Sequence, residues 1–279
     1  RVSAASFLLY GVAALAPVPF GSTDVAAIGF WCFLLGIAVC VAPIEEVPVR
    51  RLGLFFLPLG LTLGAYAFVL HEQLSANPLI ARPHPLWIEG ARILDAPIAP
   101  SGSIVRNLPF FALGNSLLCL LALVCGFLVG ADEKRARRLI RIVAWAGAVL
   151  AVYGIVAHVV DPTRILWRPK LQYETVLTAT FVNRNTAAVY FGSCAVIWFV
   201  FLARSIRRRA RGRALNWRFL FGDLLRELPP RMMLECAALL VCLAGMFMTA
   251  SRAGAAVSFL GLVLAWAVLF RDTLSTRSG

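Results

Sequence analysis

Long apolar runs recur along the whole chain, and short polar or basic segments separate them. Many runs reach about 18 residues, the length that a helix needs to cross ~30 Å of hydrocarbon. The runs are continuous, unlike the alternating strands of a membrane barrel. We therefore predict an all-α, polytopic membrane helical bundle that forms a single transmembrane domain over residues 1–279. Its eight predicted spans are residues 3–20, 25–43, 51–70, 109–130, 140–160, 185–203, 232–250 and 254–270.

The composition agrees with a membrane protein. Hydrophobic residues make up 60% of the 279 residues and charged residues only 15%, whereas about 25% of a soluble domain is charged. The seven cysteines lie inside apolar runs without CxxC spacing, so we interpret them as small buried side chains. Neither H-x-x-H nor E-x-x-H spacing is present. The sequence therefore predicts no metal site and no cofactor.

Lysine and arginine alternate between two sets of connecting segments. The richer set holds 19 of the 27 basic residues and consists of Arg1, the loops 44–51, 131–141 and 204–231, and the C-terminal tail. The poorer set holds the other 8 and consists of residues 20–24, 71–108, 161–184 and 250–253. Because positive charge concentrates on the cytoplasmic side, we predict a cytoplasmic N-terminus and an external position for the poorer set.

The net charge of +13 does not by itself indicate a nucleic-acid partner. The densest basic stretch, residues 204–213, has no aromatic-rich or base-reading motif beside it. We interpret it as a cytoplasmic loop against the headgroups of membrane lipids.

The external loop 71–108 has an amphipathic centre. Apolar residues at positions 87, 88, 91 and 94 share one helical side, and charged residues at positions 89, 92 and 95 share the other. This pattern predicts a short helix in the membrane interface.

Two arginines lie at the external ends of predicted spans. Arg184 lies at the external end of the sixth span, between Asn183 and Asn185, and Arg252 follows Ser251 at the turn before the eighth span. Charge at this position is costly and usually functional, and a guanidinium group forks onto phosphate oxygens. We therefore predict that these five residues form an external anion-binding site. The alternative is that each arginine only extends to the lipid headgroups.

Other polar candidates are weaker. His71, His84 and His158 all fall on the external side, which suits acid–base chemistry, but a structural role is the favoured interpretation for each. Glu72 ends the third span beside His71. Arg164, Arg168 and Lys170 are predicted to add positive charge near Arg184, partly offset by Asp161 and Glu174, a set that follows the fifth span. No Walker loop, dinucleotide fingerprint or G-x-S-x-G motif is present.

Three segments together resemble the O-antigen ligase and polymerase superfamily. They are P17-V-P-F-G21, T180-F-V-N-R-N185 and T249-A-S-R-A-G254. Members of that family typically show a T-F-x-N-R-N-like stretch at the start of one membrane helix and an S-R-G-G or S-R-G-A stretch at the start of another. The order, spacing and shared side of the segments agree with that pattern.

The resemblance implies a glycosyltransferase-like protein of the bacterial inner membrane that acts on its outer face. Such proteins transfer a glycan from an undecaprenyl-diphosphate carrier to a lipid or glycan acceptor, as ligases or polymerases in polysaccharide and lipopolysaccharide biosynthesis. They need neither a metal nor a nucleotide sugar. Arg184 and Arg252 match arginines that are thought to hold the carrier's diphosphate.

The chain departs from the family pattern in two respects. Ala253 replaces the usual first glycine of the second arginine motif. Family members also continue into a large external loop with a histidine proposed as the general base, and no such loop follows here. Because the chain opens at Arg1 instead of Met, we expect it to be a fragment, and the resemblance implies the N-terminal part of a longer protein, with the motifs in residues 161–279.

Two other functions are compatible with the sequence. A transporter of a small anion would also use a cationic mouth, but it would favour polar residues and broken helices near the midplane. A non-catalytic membrane scaffold is the third interpretation. The sequence does not distinguish ligation from polymerisation.

Cysteine labelling tests the predicted orientation. In a background without native cysteines, we expect Gly90→Cys to react with a membrane-impermeant reagent in intact spheroplasts, and Gly212→Cys to remain unlabelled, because the two positions lie in external and cytoplasmic loops. Labelling at position 212 but not at position 90 would reverse the orientation and move the arginine site to the cytoplasmic face.

Overall fold

The computed structural model describes residues 3–75, 78–105, 107–209 and 229–275. Nearly all regular structure in these ranges is α-helical, as the sequence predicts. The helices are α1 (Ala4–Leu15), α2 (Val25–Cys40), α3 (Val49–Leu74), α4 (Pro85–Leu94), α5 (Leu108–Phe111), α6 (Leu113–Gly130), α7 (Glu133–Val160), α8 (Arg184–Arg209), α9 (Pro230–Met248) and α10 (Arg252–Ser275). A short antiparallel strand pair, β1 (Arg164–Ile165) and β2 (Arg168–Pro169), lies between α7 and α8.

Within the described ranges, six helices are long and apolar enough to cross a membrane, which is compatible with a multi-pass membrane protein. They are Val49–Leu74, Leu108–Gly130, Glu133–Val160, Arg184–Arg209, Pro230–Met248 and Arg252–Phe270. The first two predicted spans are helical but shorter, with 12 residues in α1 and 16 in α2. At 1.5 Å per residue they measure ~18 and ~24 Å. Prolines follow both helices, at positions 17, 19 and 43, and a proline disfavours the helical conformation of the residue before it.

The structure describes the helix predicted in the 71–108 loop, but only part of the basic stretch 204–213. A helix, α4, occupies the centre of the 71–108 loop, where the sequence predicts one. At its start, the Leu86 amide donates a hydrogen bond to His84 Nδ1, and on its polar side Arg92 pairs with Glu89. The basic stretch 204–213 is described only to Arg209, and its remaining residues lie outside the described part of the chain.

The chain divides into two compact units, and unit 1 comprises Arg1–Leu9 and Ile28–Arg135. Within it, the rings of Phe55 and Phe127 stack with centroids 3.9 Å apart. The buried carboxylate of Glu72 accepts hydrogen bonds from the amides of Leu79, Ile80 and Ala81 at 2.9, 2.7 and 2.8 Å. Glu72 therefore fixes the chain that follows α3, which is a structural role.

Unit 2 comprises Tyr10–Ala27 and Ala136–Gly279. Its apolar core joins α7, α8 and α9 with the loop that precedes α8. Phe191 of α8 is fully buried in this core, and the indole Nε1 of Trp198 donates a hydrogen bond to the Ala144 carbonyl of α7 at 3.0 Å. All three segments that carry the family resemblance belong to this unit.

Small residues allow α8 and α10 to approach closely. A Cβ atom on Gly192 of α8 would overlap the Ser258 side chain of α10, and one on Gly254 of α10 would overlap Ala188 of α8. Residue numbers increase in the same direction along both helices at these contacts, so α8 and α10 run parallel. Small residues at such positions are typical of closely packed membrane helices. As a result, the N-termini of α8 and α10 lie at the same end of the unit.

The contact at Gly192 predicts a specific sensitivity. We expect Gly192→Ala to destabilise the protein by about 1–3 kcal/mol, the usual cost of overpacking, because the added methyl group meets Ser258. Gly60→Ala is the matched control, since Gly60 lies in α3 and a Cβ atom there would have no described neighbour within 4 Å. Thermal unfolding of the detergent-purified variants measures both. Equal melting temperatures for Gly192→Ala and the wild type would contradict the close packing.

Candidate functional site

Helix α8 begins at the first arginine motif with a side-chain cap. Arg184 is its first residue, and the Asn185 amide donates a hydrogen bond to Asn183 Oδ1 at 2.8 Å. An asparagine side chain that accepts from the second amide of a helix is a common N-cap. The N-R-N sequence therefore sets the start of α8 and places Arg184 on its first turn.

Helix α10 begins at the second arginine motif in a similar way. Arg252 is its first residue, and the Gly254 amide donates to the buried Ser251 Oγ at 3.1 Å. The same hydroxyl group donates to Asn185 Oδ1 at 2.8 Å. Ser251 thus caps α10 and bonds to α8 with one side chain.

The bond between Ser251 and Asn185 joins two segments that lie 66 positions apart in the sequence. Arg184 and Arg252 each adjoin one end of this bond. Both arginines also stand at the N-terminus of a helix, where the helix dipole and free amides favour an anion. In the ranges that the structure describes, no carboxylate pairs with either guanidinium group. The arrangement is therefore suited to a multiply charged anion.

The Arg184 side chain contacts an aromatic ring that the sequence did not single out. Its Cζ lies 5.2 Å from the centroid of the Tyr173 ring, a cation–π distance. Its Nε is buried without a hydrogen-bond partner in the described structure. Tyr173 has a positive φ of 62°, which is uncommon for a bulky residue and is found at constrained sites. Tyr173 thus orients one side of the Arg184 guanidinium group.

The two arginine side chains differ in exposure: Arg184 is half-buried and Arg252 is exposed. The parallel helices bring their backbones to the same end of unit 2. A separation of roughly 8–10 Å between the guanidinium groups, about one Debye length, stays a prediction, as does their shared opening to the exterior.

The third resemblance segment, residues 17–21, packs against the first arginine motif. Thr180 Oγ1 donates a hydrogen bond to the Pro17 carbonyl at 2.7 Å. Gly21 has a φ of +63°, and a Cβ atom there would lie 2.9 Å from Phe181 Cδ1. This turn needs glycine for both reasons. The turn therefore fixes the backbone just before Asn183.

The other cations of the 161–183 loop also have structural contacts, and one of these is with Asp161, a carboxylate expected to offset part of their charge. Arg168 pairs with Asp24 at 3.1 Å, and its Cζ lies 4.0 Å from the Phe20 ring centroid. Arg164 pairs with Asp161 at 3.4 Å.

Lys170 is also held by the loop itself. Its side chain is buried, and Nζ donates to the Val176 carbonyl at 3.0 Å. Burial lowers the pKa of Lys170 because it disfavours the charged form. Lys170 therefore stabilises the fold of the loop that precedes α8.

The structure places two of the candidate histidines at helix ends. His84 caps α4, and His158 Nδ1 is buried at the end of α7 without a described partner. Over the described ranges, no group of three or more His, Cys, Asp or Glu side chains is placed to hold a metal ion.

No family model, curated protein or solved structure matches the chain.

A double-mutant cycle tests the link between the motifs. For Asn185→Ala and Ser251→Ala, we expect a coupling of about 0.5–1.5 kcal/mol in the free energy of unfolding, the usual net value of a hydrogen bond. The control cycle combines Asn185→Ala with Ser258→Ala, because the Ser258 hydroxyl group donates to Gly254 instead. Additivity in both cycles would show that the Ser251–Asn185 bond does not form.

Proposed function

We propose that the chain is part of a membrane glycosyltransferase of the O-antigen ligase or polymerase type. In this proposal, Arg184 and Arg252, with Asn183, Asn185 and Ser251, bind the diphosphate of an undecaprenyl-diphosphate-linked glycan. The hydrogen bond between Ser251 and Asn185 carries the proposal, because it joins the two arginine motifs in one cluster. The absence of a described carboxylate partner at either arginine supports an anionic ligand.

The chemistry of such a site follows from the placement of its charges. An acceptor hydroxyl oxygen forms a bond to the anomeric carbon of the donor glycan, and the bond from that carbon to the diphosphate oxygen breaks. The electron pair leaves with the diphosphate, and the acceptor proton passes to a general base. Guanidinium groups and helix N-termini stabilise the negative charge that grows on the leaving group. The resemblance implies that the base lies in a downstream external loop.

The proposed topology has eight crossings in the bacterial inner membrane. The N-terminus is cytoplasmic, α4 lies in the external interface, and the starts of α8 and α10 face the periplasm or exterior. The alternation of basic segments supports this orientation. Helix α8 has 26 residues, or ~39 Å, which is long enough to place Arg184 in one interface and the basic residues at its other end in the opposite one.

The geometry supports this proposal better than an anion transporter. Transporters commonly bind their substrates near the midplane, between discontinuous helices. Helices α8 and α10 are continuous after their first residues, Arg184 and Arg252. The arginine cluster therefore lies at helix ends, where a lipid-borne diphosphate resides.

Arg184→Lys in the full-length protein tests the proposal. Lysine keeps the charge but loses the fork that holds two phosphate oxygens at once. We expect glycan transfer to fall on the order of 10²-fold, the usual loss when one transition-state donor is removed, with membrane abundance near normal. Transfer is measured as the formation of the glycan-linked acceptor in membranes.

Arg164→Lys is the matched control for this experiment. Arg164 lies in the same loop but pairs with Asp161, so we expect its lysine variant to keep most of the transfer activity. If Arg184→Lys is as active as Arg164→Lys, Arg184 is only an interfacial anchor and the proposed function loses its main support.

A further inference from the structure

A groove lined by arginines lies in unit 2, at the end of α8 remote from Arg184. This groove has a volume of about 470 Å³ and is bordered by α7, α8 and the start of α9. In the part of the chain that the structure describes, five arginines line it: Arg137, Arg141, Arg204, Arg208 and Arg231. The arginines belong to three different helices, so the helix packing itself concentrates the charge.

An acidic residue holds one of these arginines in place. A smaller adjoining cavity of about 220 Å³ shares Arg141 and Arg231 with the groove and adds the buried side chain of Glu235. The Arg231 Nε lies 3.0 Å from Glu235 Oε1. Among the described lining residues of the two cavities, guanidinium groups outnumber carboxylates. The groove therefore favours an anion with more than one charge.

Apart from Ser205, the rest of the described lining is apolar and extends along α8. It includes Val196, Val200 and Phe201 from α8 and Ile140 from α7. Arg204 follows Arg184 by 20 residues, or ~30 Å along a helix, which is about the thickness of the hydrocarbon layer. Val196 precedes Arg204 by 8 residues, or ~12 Å. In a membrane, the groove thus runs from the headgroup level into the acyl-chain region.

We propose that this groove binds an anionic phospholipid with two phosphate groups. The phosphates contact the arginines, and the first part of an acyl chain lies against Val196, Val200 and Phe201. Basic pockets between membrane helices bind lipid headgroups of this kind. A free phosphate or an acidic peptide would make no use of an apolar surface at this depth. The site is separate from the proposed diphosphate site, which lies at the other end of α8.

Native mass spectrometry of the purified full chain tests the proposal with cardiolipin as the probe. Phosphatidylcholine and inorganic phosphate are the comparison ligands. We expect cardiolipin adducts at concentrations at least roughly tenfold below those needed for phosphatidylcholine, because each arginine near an anionic headgroup contributes to binding. Equal retention of cardiolipin and phosphatidylcholine would overturn the proposal. Competition by inorganic phosphate at an equal phosphate concentration would assign the groove to free anions and would also overturn it.

Matched charge variants locate the binding. Arg141→Gln with Arg204→Gln removes two charges from the groove, and Arg50→Gln with Arg138→Gln removes two charges outside its lining. We expect the groove variant to lose cardiolipin affinity by roughly tenfold or more, and the control to change by less than about twofold. Equal losses in both variants would show that only the overall charge matters.

A third variant keeps every charge and tests the apolar part of the groove. Ile140 is exposed, so Ile140→Trp fills the groove without disturbing the core, and it remains informative if the double arginine variant does not fold. We expect weaker cardiolipin binding in Ile140→Trp. Unchanged binding would contradict an acyl chain in the groove.

Discussion

The close parallel contact between α8 and α10 is the constraint on which the candidate site depends. The Ser251 hydroxyl group reaches Asn185 only because the two helix backbones approach closely at their N-termini. Glycine makes this approach possible, since a side chain on Gly192 or Gly254 would overlap the facing helix. Larger side chains at these positions would hold the helices farther apart. Small residues along the helices thus determine how near the arginines at their ends lie.

This contact has an electrostatic consequence. It places together two helix N-termini that each begin with an arginine, and like charges destabilise one another where the dielectric constant is low. The fold offsets this repulsion only in part, through the contact of the Tyr173 ring with the Arg184 guanidinium group. A polyanion would supply the missing negative charge. The loop before α8 is fixed independently, through Thr180 and the turn at Pro17, so the site is organised before any ligand binds.

Sequence reasoning was most successful where the physical signal is local. Apolar runs predicted the helices, and the start of α8 at Arg184 follows from the Asn183 cap. The predicted spans at α1 and α2 are longer than the observed helices, because prolines follow both helices. Contacts between distant residues had no local signal, as in the cation–π contact of Tyr173 and the ion pair between Arg168 and Asp24. The convergence of the arginine motifs was predictable because alternate membrane crossings return the chain to one side.

The most direct test of the account is an experimental structure of the full-length protein in a lipid nanodisc with undecaprenyl diphosphate. We expect diphosphate density between the guanidinium groups of Arg184 and Arg252, with the two groups within roughly 8–10 Å of each other, beside the Ser251–Asn185 bond. Density for the diphosphate elsewhere, with the two arginines on opposite faces of the bundle, would contradict it.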